Sequence, residues 1–490
     1  MAKVLLHMSG RARYRLMAVA VIALLLFYTS TSIIPAIFFQ WPKRVSILER
    51  GGSRGRIDDD MRPQVPLDAL ESEFFSWEHP DAVFPEKRYK PAPAPVTPVP
   101  DPFPLLSQNP PPKRSLLQAP EANRPPRRHH PERTPLFVGF TRNWPQLLQC
   151  VVSYIAAGWP PEDIYVVENT GVMFANRDGK LTLQNPFYLN HTQLRMLGVN
   201  VMITPTLLTF AQLQNFYLWT ALNHDYPYFF WTHQDLLVFS HEHNSSSTAA
   251  SNTGSAPPPS LYANAVATLR YLLSPAAPKW AHHFFAYDHL TLVNRDAVLS
   301  VGGWDTHIPY YATDCDMYVR LMWAGFWQGE SEIGIILDVA SVMADVGALL
   351  RIPGIRARLV GEEEQQAEQE DDDEEEEEKK WVAEHGERWE RLVQLGYRME
   401  AAKYSEGNAW RNTWQIRQRG GQGEPFYRDA EGFETGVKMM IDTGRAVFAE
   451  KWGHRGCDIA KAGRTPEDAW RLERDWDVDT EGAGFQGHSW

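Results

Sequence analysis

Cysteine is scarce in this 490-residue chain, which has only Cys150, Cys315 and Cys457. No two of them have the Cys-x-x-Cys spacing of a zinc site, and at most one intramolecular disulfide can form. Sequence does not choose among the three possible pairs, and three buried thiols is the plainer reading. A basic excess is also lacking, since the formal net charge is -13. Phosphate-backbone binding needs an excess of Lys and Arg, so nucleic acid is set aside as a partner. The acidity is local: Glu362 to Glu378 holds thirteen acids and no base, and the rest of the chain is close to neutral. Charges that dense repel one another and must stay solvated, so the run is expected to be a loop. With 43% hydrophobic and 12% aromatic residues, the chain can bury a core, and its length corresponds to about two to four domains.

Charge is missing altogether from Leu16 to Phe39. At about 1.5 Å per residue this apolar stretch is long enough to cross a hydrocarbon core of about 30 Å. It outlasts the core of a cleaved signal peptide and has no clear small-residue cleavage site before Trp41, which suits an interfacial anchor. Lys3, Arg11, Arg13 and Arg15 precede it and Lys43, Arg44, Arg50, Arg54 and Arg56 follow it, so charge alone does not orient it. The sequons at Asn190 and Asn244 favour a cytosolic N-terminus and a lumenal remainder. Fifteen of the residues between Pro91 and Pro135 are proline, a composition that favours an extended spacer or a disordered linker.

The folded part is expected to start at Pro135. Leu136 to Phe140 predicts a strand, Thr141-Arg142-Asn143 a loop, and Pro145 to Ala157 a helix closed by Gly158. Ile164 to Val167 and Val199 to Ile203 are further apolar strands, and a helix over roughly Phe210 to Asn223 leads into Tyr228 to Val238, an apolar run broken by the polar His233-Gln234-Asp235. Helices between short, continuously apolar strands indicate a parallel sheet in an α/β domain. Ligands of such sheets bind beyond the carboxyl ends of the strands, so Thr141 to Asn143, Glu168-Asn169 and His233-Gln234-Asp235 should face one crevice. Ser245 to Pro259 has the composition of a surface loop. Thr291-Leu292-Val293 predicts a strand and Asp314 to Ala324 a helix closed by Gly325.

His233 and Asp235, at spacing two, would share one side of an extended chain, and an imidazole with a carboxylate can bind Mn²⁺ or Mg²⁺. A polar strand end without a metal is an equal alternative. The order LFVGF, IYVVENTG, FFWTHQD and VGGWDTHIPYYATDCDMYVRLMWAGF resembles the GT-A fold (Rossmann-like, nucleotide-diphospho-sugar transferase), nearest to family-2-like glycosyltransferases and fungal type II membrane glycosyltransferases. The resemblance covers roughly Pro135 to Asp345, and its best part is Gly302-Gly303-Trp304-Asp305 followed by Asp314-Cys315-Asp316 and Arg320.

That resemblance implies an α/β fold with a mixed sheet flanked by helices, an N-terminal transmembrane helix and a helical C-terminal lobe. By it, Thr141, Arg142, Glu168, Asn169 and His233 bind the donor, with Glu168 and Asn169 near base and ribose. Asp235, His233 and, from the late lobe, His454 are the metal ligands, with His233 a departure from the usual acid. Asp314 is the general base of an inverting transfer, or locally an N-cap. Asp316 stabilises the helix start and pairs with Arg320 one turn later. His282-His283 is more plausibly structural than part of the acceptor side, and the Gly420-Gly421-Gln422-Gly423 turn either covers the donor or is a plain loop.

The expected division is a cytosolic tail (1–15), membrane helix (16–39), largely disordered proline-rich stem (40–134), catalytic domain (135–345), acidic linker (346–380), C-terminal lobe (381–463) and tail (464–490). The expected activity is a metal-assisted, inverting sugar transfer from a UDP- or GDP-sugar to a glycan, glycoprotein or glycolipid in the Golgi or ER. A catalytically silent glycan- or protein-binding module and a scaffold recruiting basic partners through the acidic run are the competing expectations.

Overall fold

A computed structural model describes residues 86–91, 94–107, 120–242, 258–362, 377–405 and 418–476, with only the helical backbone over 377–387. The expected membrane helix, most of the stem, the sequon at Asn244 and nearly all of the acidic run lie outside the described residues. Among the described residues, no helix is long and apolar enough to cross a membrane. The chain divides into two compact units, Met1–Pro91 and Ala92–Trp490, and the second holds every helix and strand among the described residues.

Seven strands form one sheet in the order β3-β2-β1-β4-β7-β6-β8. They are β1 (Leu136–Phe140), β2 (Ile164–Glu168), β3 (Asn200–Ile203), β4 (Tyr228–Thr232), β6 (Trp280–Ala286), β7 (Leu290–Asn294) and β8 (Trp327–Glu330). β1 pairs in parallel with β2 on one side and with β4 on the other, Val138 facing both Val166 and Thr232. β7 runs antiparallel to β4 and β6, so the sheet is mixed. A second, two-stranded sheet joins β5 (Leu236–Phe239) to β9 (Ile335–Asp338) in antiparallel register, Leu236 opposite Asp338.

Continuous apolar strands are explained by two cores, one on each face. Leu136, Val138 and Phe140 of β1, Ile164 and Val166 of β2, and Tyr228 and Phe230 of β4 enter one core. The alternate residues Phe137, Val167, Phe229 and Trp231 enter the other, as the two-residue period of a strand requires. Helix α1 (Trp144–Ala156) covers the first face through Leu147, Leu148, Val151 and Val152. Pro145 stands in its first turn and Asn143, left-handed at φ 75°, caps it, while Gly158 follows at φ 95°. Two short helices, α2 (His191–Met196) and α5 (Arg295–Ser300), and α4 (Leu261–Leu272) complete the connections with α3 (Phe210–Asn223) and α6 (Thr313–Trp323). α3 and α6 pack on the second face through Ala211, Tyr217, Leu218, Met317 and Leu321.

The domain boundaries move in both directions. Phe103 and Leu106 lie in the first core and the Val346 N–H donates to the Pro102 carbonyl at 2.9 Å, so a part of the expected stem belongs to the folded domain. Val346 to Leu350 is a buried 3-10 turn, and Arg351 pairs with Glu242. The first residues of the expected acidic linker are thus also core. The expected C-terminal lobe is two long helices docked separately. α7 (Glu377–Lys403) lays Leu392, Val393, Leu395 and Met399 into the first core. Its Gly396 passes so close that a Cβ there would meet Leu337 at 2.7 Å and Phe239 at 3.1 Å. α8 (Ala430–Trp452) packs Phe448 and Trp452 against Ile308, Ala312 and Val319.

Of the three cysteines, Cys315 in α6 and Cys457 after α8 form a disulfide across 142 residues, and Cys150 is a buried thiol. Alkylation of the denatured, unreduced chain should therefore label one cysteine, Cys150. Reduction should lower stability by about 2–5 kcal/mol through the long loop it releases, seen as a drop in Tm in thermal melts with and without reductant.

Candidate active site

The sheet changes direction of growth at β1, because β2 lies on one side of it and β4 on the other. The carboxyl ends of β1 and β4 thus lie side by side at the point where open α/β sheets bind ligands. The loop after β1 is Thr141-Arg142-Asn143, and the one after β4 is His233-Gln234-Asp235. Gln234 staples the two: its Oε1 accepts from the Thr141 N–H at 3.3 Å and its Nε2 donates to the Arg142 carbonyl at 2.6 Å. The Arg142 guanidinium is buried, 5.0 Å from the Phe433 ring. Burial brings its pKa down to about 10, so it stays charged at neutral pH.

His233 and Asp235 do lie together, with Nδ1 3.8 Å from a carboxylate oxygen. Their partner is an ammonium group. Lys403, the last residue of α7 and itself buried, places Nζ 2.8 Å from Asp235 and in direct contact with Asp338 at the end of β9. Tyr404 donates to the other Asp338 oxygen at 2.6 Å, the Asp338 N–H donates to Glu400 at 3.1 Å, and His289 stands 3.9 Å away. Burial would raise the Asp235 carboxyl, but the charge of Lys403 and then His233 override it and hold the group below the usual carboxylate range. Burial also lowers the His233 pKa, against the pull of Asp235.

This arrangement does not fit a bound divalent ion, because the position between the carboxylates is taken by a protein cation. His454 does not supply a ligand either. Its Nδ1 lies 2.6 Å from Asp475 and its Nε2 3.0 Å from Asp458, so both ring nitrogens are engaged. Among the described residues no group of three His, Cys, Asp or Glu is set to hold a metal.

Glu168 and Asn169 end β2 but face inward. The Glu168 carboxylate accepts from Thr170 at 3.3 Å and Asn176 at 2.7 Å and meets His191 at 2.7 Å. Asn169 clamps Leu208, donating to its carbonyl at 2.8 Å and accepting from its N–H at 2.7 Å. With these side chains already satisfied inside the protein, contact with base or ribose would cost them their partners. Asp305 and Asp316, from the motif that carried the resemblance, are likewise internal. Lys451 of α8 bridges them at 2.7 Å each, and Asp316 also accepts from Arg320 at 2.8 Å and Trp452 at 3.1 Å.

Asp314 is not the N-cap of α6; that position is Ala312, left-handed at φ 71°. Its carboxylate instead accepts from the Tyr287 hydroxyl at 3.3 Å, and burial raises its pKa. Tyr287 opens the turn between β6 and β7, and the next residue, Asp288, is held left-handed at φ 58°. Asp288 accepts from Tyr318 at 2.7 Å, and burial together with the Asp314 charge pushes it up to about 7. His289 then takes the His233 N–H on its carbonyl at 3.3 Å. One three-residue turn thus connects the Asp314 pair to the Asp235–Lys403 cluster. His282 and His283 lie in β6: the first is buried with its pKa lowered to about 4 by burial, and the second contacts Ser331 at 2.8 Å. The Gly420–Gly423 turn rests on the 182–186 loop, where Glu424 accepts from Thr182 at 2.6 Å.

No protein-family model matches the chain. No curated protein matches it either. Among solved structures it is similar to the mannosyltransferase PcManGT from Pyrobaculum calidifontis in complex with GDP-Man and Mn²⁺, at 14% identity and a TM-score of 0.27 over 41% of this chain and 55% of that one. It is also similar to a cytidylyltransferase from Leptospira borgpetersenii serovar Hardjo-bovis, at 10% identity and a TM-score of 0.25 over 41% of this chain and 76% of that one. The match spans about half the length of the mannosyltransferase. Likenesses this weak assign neither substrate nor mechanism, which must be read from the geometry of the site.

Sequence reasoning missed Asp288, His289, Asp338 and Lys403. Asp288 had a signal, since Tyr-Asp-His between two apolar runs is turn chemistry and Asp tolerates a left-handed backbone. A carboxyl whose pKa is raised by folding binds its proton more tightly in the folded chain, so stability falls as pH rises from about 4 to about 7. Asp288→Asn, which suits the same backbone, should remove that penalty. It should gain on the order of 1–2 kcal/mol over wild type at pH 8 and little at pH 4, measured by urea unfolding at the two pH values.

Proposed function

We propose that the protein transfers a sugar from a nucleotide-sugar donor, a UDP- or GDP-sugar, to a hydroxyl of a glycan, glycoprotein or glycolipid, with inversion. The observation that carries this reading is the convergence of the loops after β1 and β4, the 287–289 turn and the start of α6 at the point where the sheet reverses its growth. Asp314 is the general base: it removes the acceptor proton as the oxygen attacks the anomeric carbon, while the bond to the diphosphate breaks and the nucleotide leaves with the electron pair. Tyr287 orients the Asp314 carboxylate. The donor is expected over the Thr141–Asn143 loop and His233. No step is assigned to a divalent ion. The apolar segment 16–39 and the sequon at Asn190 support a type II protein of the Golgi or ER membrane with a lumenal catalytic domain.

The neutralisation of Asp235 by Lys403 favours a second reading, a catalytically silent module that binds glycan or protein. Nucleotide release from a panel of UDP- and GDP-sugars, with mixed glycan acceptors, separates the two. Transfer should be seen with at least one donor, and Asp314→Asn should lower kcat by about 100-fold or more while KM for the donor stays within about threefold. No release from any donor would leave the silent module standing, and full activity in Asp314→Asn would rule out Asp314 as the base.

A further inference from the structure

The clearest anomaly in the crevice is a cation supplied by the chain itself. Asp235, just before β5, and Asp338, the last residue of β9, lie at the same end of the antiparallel β5–β9 pair, and between them lies the ammonium of Lys403, bonded to both. The side chain is almost fully buried, at 1% exposure. Its helix is fixed by four core residues, by the close approach at Gly396, and by Glu400 and Tyr404 on Asp338. The ammonium therefore has no easy way out of the carboxylate pair. Two imidazoles stand just outside it, His233 beside Asp235 at 3.8 Å and His289 beside Asp338 at 3.9 Å. Carboxylate and imidazole are donor types that Mn²⁺ accepts, but with the ammonium in place no three of these groups are set to hold an ion. The lysine charge occupies the point where that ion would be bound, and like charges at such range repel strongly.

We propose that Lys403 is a built-in substitute for the divalent cation of this crevice, so that the protein works without a metal there. The functional consequence, donor binding independent of metal, rests on the transferase reading; occupancy of the cation position by Lys403 does not.

The test is Mn²⁺ binding to the full chain, followed by electron paramagnetic resonance. The acidic run supplies a weak background, so variants are compared by difference. Wild type and Asp235→Asn should bind Mn²⁺ identically. Lys403→Met, with a neutral side chain of similar length, should gain one site per chain about tenfold or more tighter than the background, and adding Asp235→Asn should abolish it. An Asp235-dependent Mn²⁺ site in wild type overturns the proposal, as does a folded Lys403→Met protein that gains no site. Should Lys403→Met fail to fold, the wild-type and Asp235→Asn comparison still decides. A separate arm measures UDP- and GDP-sugar binding to wild type by calorimetry. Affinity unchanged between EDTA and Mn²⁺ is expected, and a strict Mn²⁺ requirement overturns the substitution. Absence of donor binding, with the Mn²⁺ results as expected, counts against the transferase reading alone.

Discussion

The architecture of the crevice depends on β1 being paired in parallel on both sides, with β2 to one side and β4 to the other. Parallel strands leave their carboxyl ends on the same edge of the sheet, so the loops after β1 and β4 start side by side there. The two hydrogen bonds of Gln234 hold the loop after β4 to the backbone of the loop after β1. Cys150 in α1 adds support from below, donating to the His233 carbonyl at 3.3 Å.

Around this edge, buried charge joins apolar contact in deciding where the late helices come to rest. α7 ends on a lysine shared by Asp235 and Asp338, and α8 ends near a lysine shared by Asp305 and Asp316. Buried ion pairs contribute little net stability, but losing one partner leaves a desolvated charge behind. Each lysine therefore makes one helix position much better than its neighbours, which is a specification of geometry more than a source of stability. The disulfide at Cys315 adds a covalent restraint one residue after Asp314.

Local pattern made much of the sheet legible in the sequence. β1, β2 and β4 stand out as continuous apolar runs because both faces are covered, and α1 is bracketed by Pro145 and Gly158. The Asp316–Arg320 pair follows from helical spacing, and it is present. What sequence hides is long-range partnership. The meaning of Asp235 changes once Lys403, on a helix that comes after the acidic run, is known to lie against it. Glu168 looks like a ligand-binding strand end until Asn176 and His191 are seen to enclose it. His454 has the residue type of a metal ligand, yet two aspartates claim it. Residue type survives as a signal in each case, and the partner decides its use.

Phe103 and Leu106 lie in a proline-rich stretch that composition assigns to the spacer, yet they fill the core beside Val346 and Leu350. A form of the protein trimmed to begin at Pro135 would lose these plugs and open a greasy slot under the Val346–Leu350 turn. Shortened versions of the protein should therefore retain Phe103 and Leu106.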